Sequence, residues 1–262
     1  MKRITIYRES YGDMGFGQVP PPLSIEETLG QLCDANGVPI IRFWFDPREK
    51  FSRAHQSMRD RASGIRHPAV PSNSATPPPA WSHSTEINGT PTITTTRFWF
   101  GPFDFDESEY TFLCTMRPRV PPSGSNMLAL SPVGAGTYGP NLGVFSDGRL
   151  VVFNGPNVTV RIEEAAGGSL DTNIIAASSF STENGVTLLK NSSAVASNPN
   201  DQNAPTVTSL RFLGGTLSGS GMFEGAVGIS MLVAADLTLP KWSRARDLIW
   251  QYLSDRSGIS LA

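Results

Sequence analysis

The sequence is poor in the residues on which most enzymes and metal proteins rely. Only two of its 262 residues are cysteine and three are histidine. Cys33 and Cys114 stand far apart, which leaves neither a disulfide framework nor a paired-cysteine zinc site and is compatible with a reducing cytoplasm. His55, His67 and His83 share one segment, at separations that match no helical or knuckle metal motif, and read as loop and surface side chains. Charge is sparse too. Asp, Glu, Lys and Arg make up 17% of the chain and nearly cancel, to a net charge of -2. No global basic field is therefore present to hold nucleic acid or an anionic membrane. No apolar run approaches membrane-spanning length, and Met1 to Ser10 lacks the apolar centre of a secretory signal, so neither membrane insertion nor general secretion is expected. A P-loop, a nucleophile elbow and a zincin helix are all missing. One literal G-x-G-x-x-G, Gly134 to Gly139, runs into Pro140 and a strand pattern instead of a helix, and reads as a plain glycine loop.

What is present is turn chemistry and alternation. The 25 Gly and 21 Pro separate short apolar runs, a pattern that favours an all-β domain. Tyr110, Phe112, Cys114 and Met116 alternate with polar partners, as do Val158, Val160 and Ile162, which implies strands with one buried face. Ser146-Asp147-Gly148 and Asn184-Gly185 read as hairpin turns. Leu210 and Phe212 mark a penultimate strand. In the last strand Phe223, Val227, Ile229, Met231 and Val233 recur at every second position except Gly225, around small residues, placing one face in a core. The period then changes. Thr238 is the expected cap and Pro240 the expected first turn of a closing helix whose Trp242, Ala245, Ile249, Tyr252 and Leu253 share a face, with Gly258 as its stop.

Residues 1–37 read differently, as an arm. Ile4 and Ile6 form a short strand pattern, Pro20 to Pro22 a stiff connection, and Ser24 with Glu27 a capping box opening a helix whose apolar face is Ile25, Leu29, Leu32 and Cys33. Such a piece buries little alone, so it docks either on its own domain or on another protein. From Val38 the main domain begins with a buried strand, Ile40 to Phe45. Asp46-Pro47 suits the start of a brief helix with Phe51, Ala54 and Met58 on one side, and Pro71 to His83 is loop.

Three stretches carry a family resemblance. They are Phe43-Trp-Phe-Asp46 with Asp60-Arg-Ala-Ser-Gly-Ile-Arg-His-Pro-Ala69, then Ile87-Asn-Gly-Thr-Pro-Thr-Ile93, and finally Phe223-Glu-Gly-Ala-Val-Gly, Leu237-Thr238 and Trp250 to Ile259. In order and spacing these resemble the concanavalin A-like, LamG-type jelly rolls of phage virion proteins, over residues 38–262. The chain departs from that pattern at Ile229, where an acidic residue is common, and at Val233, where an aromatic is common. The resemblance implies a two-sheet antiparallel jelly-roll sandwich with a C-terminal helix, residues 1–37 being an anchoring arm. It also implies a virion surface protein, a head fibre or spike or a tail fibre component, assembled in the host cytoplasm. Such a protein binds host cell-surface polysaccharide, contacts other virion proteins through residues 1–37 and forms a homo-oligomer.

Sugar rings stack on aromatic faces while amides and carboxylates meet their hydroxyls. Trp81 and Tyr138 suit the first role; Asn191, Asn198 and Asp201 suit the second. Asp104, Asp106, Glu107 and Glu109 crowd before a strand, which makes Asp104 and Asp106 the candidates for calcium if any cofactor is bound. The enzymatic alternative is a polysaccharide depolymerase using Asp104, Asp106, Glu163 or Glu164; a further one is an architectural virion subunit without ligand. The basic run Arg48, Lys50, Arg53, Arg59, Arg61 and Arg66 either meets an acidic glycan or phosphates, or is neutralised locally by Asp46, Glu49 and Asp60.

Overall fold

A computed structural model describes residues 23–48, 57–71, 82–95, 98–120, 127–133, 138–153, 160–213 and 223–262. Every strand pairing is antiparallel, and the strands build two facing sheets. The first sheet contains β1 (Ile41–Phe45), β4 (Ser82–Ile87), β5 (Thr90–Thr95), β7 (Tyr110–Pro118), β12 (Ile174–Ser181), β13 (Gly185–Lys190), β14 (Ser193–Asn198) and β16 (Gly225–Val233). Its order is β14-β13-β12-β7-β16-β5-β4, with β1 also on β16. The second sheet contains β2 (Ser57–Arg59), β3 (Arg66–Pro71), β6 (Phe98–Asp104), β8 (Met127–Pro132), β9 (Leu142–Val144), β10 (Leu150–Phe153), β11 (Val160–Glu163) and β15 (Ser209–Phe212). It runs β11-β10-β9-β8-β15-β6-β3-β2. The expected sandwich is the observed one.

Alternation sorts the side chains between the sheets as expected. Tyr110, Phe112, Cys114 and Met116 of β7 all enter the inter-sheet core. Its centre is aromatic. Phe212 of β15 lies 5.4 Å from Phe43, 5.3 Å from Phe45 and 6.4 Å from Phe112 by ring centroid, so one ring ties the second sheet to both β1 and β7 of the first. Such offset and tilted pairs add to the burial of large apolar area. His67 belongs here as well. It is buried, with its ring 5.6 Å from that of Phe103, which corrects its reading as a surface residue.

The last strand differs from its sequence reading in an informative way. Its register against β7 shifts between Val227 and Ser230. Beyond that bulge the alternation changes face: Val227 points into the sandwich, whereas Ile229, Met231 and Val233 point out beneath the closing helix. A bulge inserts one residue and so exchanges faces. Both faces of β16 are buried, not one. Gly228 fits the bulge because a Cβ there would stand 2.3 Å from Thr115 Oγ1.

That second core is covered by α2 (Ser243–Ser257), preceded by a 3-10 turn, Pro240–Trp242. The helix begins after Trp242, and Thr238 does not cap it; the Thr238 hydroxyl donates instead to Asp236. Gly258 at φ 64° ends the helix as expected. The capping box is also present, since Ser24 and Glu27 bond reciprocally at the start of α1 (Ile25–Gly30). Leu29 of α1 is buried in the same cluster as Ile249 and Leu253 of α2. Of the two docking choices read for the arm, residues 23–37 therefore make the intramolecular one, while residues 1–22 lie outside the described residues. Phe51 and Ala54 also lie outside them, and Met58 sits on the short strand β2, not on a helix, with its side chain in the sandwich core. Val160 is exposed while Ile162 is buried, so the alternation read there holds for only part of β11. No helix among the described residues is long and apolar enough to cross a membrane.

Where β16 meets β7, Gly225 holds φ 133° and a Cβ would lie 2.3 Å from the Arg117 carbonyl oxygen. Gly225→Ala should lower the unfolding free energy by roughly 2–4 kcal/mol, combining backbone strain and overpacking. A urea titration of both proteins measures this directly, and an unchanged midpoint contradicts the assigned strand pairing.

Candidate functional site

Three polar constellations stand out, and they have different characters. The first joins α1, β1 and α2. Asp46, at the end of β1 and 1% exposed, accepts from Arg48 Nε at 3.0 Å and from Arg61 Nη1 at 2.9 Å. Glu26 accepts from Arg48 at 2.9 Å, Arg61 at 3.3 Å and Arg256 at 2.7 Å. Arg61 also lies over the Trp44 ring, 4.4 Å from its centroid. Asp60 sets the turn that delivers Arg61, accepting from the backbone N–H of Trp44 at 2.8 Å and of Ala62 at 2.9 Å. The basic run is thus neutralised by neighbours at Arg48 and Arg61.

The electrostatics of this cluster are those of a clamp. Burial alone would raise the Glu26 carboxyl, but hydrogen bonds from Arg48 and Arg61 and the charges of Arg61 and Arg256 hold it down at about 2. Asp46 is likewise held below the usual carboxylate range, burial being outweighed by Arg48 and Arg61. The Tyr252 hydroxyl, 3.4 Å from Glu26 and 3.5 Å from Asp46, is pushed up by burial and by those two anions. A general acid needs a proton near neutral pH. Here both acids are ionised, so the cluster fastens α1 to α2 and does not move protons.

The second constellation contains two of the expected sugar-binding residues. Arg161 of β11, its side chain 4% exposed, forms a two-pronged pair with Asp201 at 2.6 and 2.7 Å. Its guanidinium lies 4.7 Å from the Tyr138 ring centroid and 5.6 Å from that of Phe180. Tyr138 and Asp201 are thus brought together, but on an arginine. The hydrogen bonds from Arg161 hold the Asp201 carboxyl below its ordinary value. Asn198 accepts from Asn200 N–H at 3.2 Å within a turn. Asn191 takes φ 49° after β13, and its Oδ1 accepts from Ile175 N–H at 2.9 Å. Asn191 and Asn198 flank the two ends of β14, so they belong to different ends of one hairpin. Trp81 lies outside the described residues.

The acidic crowd disperses in space. Asp104 and Asp106 are exposed, Glu107 pairs with Arg42, and Glu109 with Lys241 at 3.3 Å. Glu163 pairs with Arg149 at 2.8 Å, and Glu164 accepts from Lys190 at 3.2 Å and from Leu150 N–H at 3.2 Å. Between β6, which ends at Asp104, and β11, which ends at Glu163, lie four strands, β15, β8, β9 and β10. At about 4.8 Å per strand that is roughly 24 Å, against the roughly 5–9.5 Å over which a glycosidase pair works. Among the described residues no group of three or more His, Cys, Asp or Glu is placed to hold a metal ion.

The third constellation was not legible as a site. Along the outer face of the first sheet, α2 covers Leu189 of β13 but stops short of β14, where Ala194 and Ser197 are exposed. A groove of about 750 Å³ opens there. Leu189, Trp250 and Leu261 supply apolar surface, while Asn184, Thr187, Ser192, Ser197, Thr238 and Gln251 supply amides and hydroxyls. Ala194 and Ser197, both small and exposed, line it on the β14 side. One wall is fixed from beneath. Asp236, 1% exposed, accepts from Ser179 Oγ at 2.7 Å, Ser181 Oγ at 2.6 Å, Thr238 Oγ1 at 2.6 Å and Thr238 N–H at 3.0 Å. Asn184 Nδ2 then donates to Thr238 Oγ1 at 3.0 Å, and Asn184 N–H to Ser181 Oγ at 3.1 Å. A buried carboxylate with four neutral donors is rigid because losing any donor costs desolvation without return. The sequence signal was the polar flank Arg246, Asp247 and Gln251 around a buried Trp250, which reads as an ordinary solvated helix side.

Sequence comparison is silent: no family model matches the chain, and no curated protein matches it. Solved structures do share its fold. Domain 4 of a GH43 extracellular arabinanase from Geobacillus stearothermophilus, in complex with arabinotriose, superposes with a TM-score of 0.58 at 10% identity, over 80% of this chain and 98% of that one. A Trypanosoma rangeli sialidase in complex with sialic acid gives 0.52 at 12% identity, over 88% of this chain. The binding domain of botulinum neurotoxin DC in complex with rat synaptotagmin II gives 0.53 at 8% identity, over 81% of this chain and 51% of that one. The chain spans only 37% of the sialidase. At such identities the likeness establishes an all-β sandwich and nothing finer.

Two outcomes test these assignments. Glu26 contributes stability that is complete above the ordinary carboxylate value near 4.5 and is lost as pH falls towards about 2. With about a quarter of its side chain in solvent the contribution is about 1–2 kcal/mol. Glu26→Gln should therefore lower the melting temperature at pH 7 and flatten its fall between about pH 4.5 and 2, as followed by calorimetry. Asp236→Ala should cost roughly 3 kcal/mol in a urea titration, since it removes the carboxylate that accepts from the buried Ser179 and Ser181 hydroxyls and from the half-buried Thr238.

Proposed function

We propose that this chain is a non-catalytic, glycan-binding β-sandwich and that the groove between α2 and the β13–β14 hairpin is its binding site. The observation that carries this reading is the groove itself, a concavity with an apolar floor, a rim of amides and hydroxyls, and a wall fixed by Asp236. Sugars offer apolar C–H faces and hydroxyls that both donate and accept, which this lining matches. A fold neighbour matched over nearly its whole length, the arabinanase domain in complex with arabinotriose, supports the choice of ligand class. The setting we propose is a phage virion surface, a head fibre or spike or a tail fibre component, with host polysaccharide as target, other virion proteins met through the arm, residues 1–37, and a homo-oligomer as the displayed form. That setting rests on the resemblance of residues 38–262 to LamG-type virion domains.

A depolymerase is the rival; roughly 24 Å of sheet separates Asp104 and Asp106 from Glu163 and Glu164, so no acid pair forms across the two groups. The deciding experiment incubates the protein with host capsule or lipopolysaccharide and measures both adsorption and released oligosaccharide. Binding without product, lost in Ala194→Trp, which fills the groove from an exposed position, is the expected result. Product release abolished by substituting Asp104, Asp106, Glu163 or Glu164 would establish the enzyme instead.

A further inference from the structure

The charge inventory of the groove narrows its ligand further, an inference that rests on the glycan-binding reading above. Its lining side chains include a single cation, Arg246, and a single anion, Asp247. They are consecutive, exposed residues of α2, with Arg246 Nε donating to Asp247 Oδ1 at 2.9 Å. Every other polar side chain in the lining is uncharged, an amide, a hydroxyl or the Trp250 indole. Acidic sugars are held by guanidinium or ammonium groups free to grip a carboxylate, sulfate or phosphate. Arg246 gives only its Nε to Asp247, but that carboxylate offsets the guanidinium charge and would repel an anion brought beside it.

Hydroxyls and amides suit the opposite class of ligand. A sugar hydroxyl needs both a donor and an acceptor, and a side-chain amide supplies both in one plane. Asn184 is oriented for this. Its Nδ2 is engaged by Thr238 Oγ1, which the buried Asp236 already holds, so the amide plane is set before any ligand arrives. Preset polar groups reduce the ordering cost of binding and discriminate sharply against ligands that cannot satisfy them. We infer that the groove selects neutral oligosaccharides, chains of hexose, deoxyhexose or pentose units without an acidic group, and that Arg246 and Asp247 act together to exclude acidic ones.

The test is a calorimetric titration of the full chain with neutral trisaccharides (maltotriose, cellotriose, arabinotriose, mannotriose) and with acidic ones (sialyllactose, trigalacturonate). The inference expects heat from at least one neutral ligand and none from the acidic pair, with Asn184→Ala and Gln251→Ala weakening the neutral ligand roughly ten-fold each. Asp247→Asn, which releases Arg246 on an exposed helix face, should make acidic ligands measurable for the first time. Tighter wild-type binding of an acidic ligand, abolished by Gln251→Ala, would overturn the inference while leaving glycan binding in the groove intact. Absence of binding by both classes, or binding indifferent to Asn184→Ala and Gln251→Ala, would overturn the two together. Gln251 is exposed, so its variant folds irrespective of the outcome.

Discussion

The structure depends on one strand being deprived of water in every direction. One edge of β16 pairs with β7. The other is divided, Gly225 to Val227 pairing with β5 and Ser230 to Val233 with β1. Its inner face meets the second sheet and its outer face meets α2, and all nine residues are buried. Each of its backbone groups must find a protein partner, because none can turn to solvent. Two cores therefore form around one strand. The bulge is what lets both exist, since it sends bulky side chains first to one side and then to the other.

This arrangement explains why α2 is where it is, and the groove follows from that placement. The helix must cover Ile229, Met231 and Val233, which fixes it over β16, β7 and β1. The first sheet is wider than one helix, so the cover ends over Leu189 of β13 and the edge strand β14 extends past it. Uncovered strands of a sandwich normally carry bulky polar side chains that hide the backbone. Here β14 carries Ala194 and Ser197, which leaves a hollow instead of a filled surface. The site is thus a by-product of a mismatch between sheet and helix widths, shaped by the choice of small residues along the hairpin.

Sequence reading succeeded where structure is decided locally. The capping box at Ser24 and Glu27, the stop at Gly258, the turns at Gly148 and Gly185, and the alternation of β7 each depend on residues within a few positions of one another. It misjudged β16 because a bulge leaves no mark in hydrophobicity when both faces are apolar; Phe223 to Val233 looks the same with or without it. His67 was misread since burial of a histidine beside Phe43 and Phe103 depends on strands that are remote in sequence. Thr238 was assigned to the nearest helix, whereas Asp236 two residues before it competes more strongly for the hydroxyl. The groove was invisible for the same reason. Asn184, Thr238 and Gln251 come from three separate segments, and each alone is indistinguishable from a solvated side chain.

Two buried carboxylates in this molecule show how the choice of partner separates structure from recognition. Asp46 is matched by Arg48 and Arg61, full charges whose long arms bind α1, β1 and α2 into one body. Such a pair is strong only while both partners stay, and it presents nothing further to solvent, because each guanidinium is already committed. Asp236 is matched by hydroxyls and a backbone N–H, and a hydroxyl that donates to a carboxylate still has lone pairs to accept from elsewhere. Thr238 does this, accepting from Asn184. Order therefore passes outward from Asp236 through Thr238 to an amide at the rim, whereas at Asp46 it ends in the clamp. A carboxylate satisfied by arginines closes a surface; one satisfied by hydroxyls can organise a surface that remains open to a ligand.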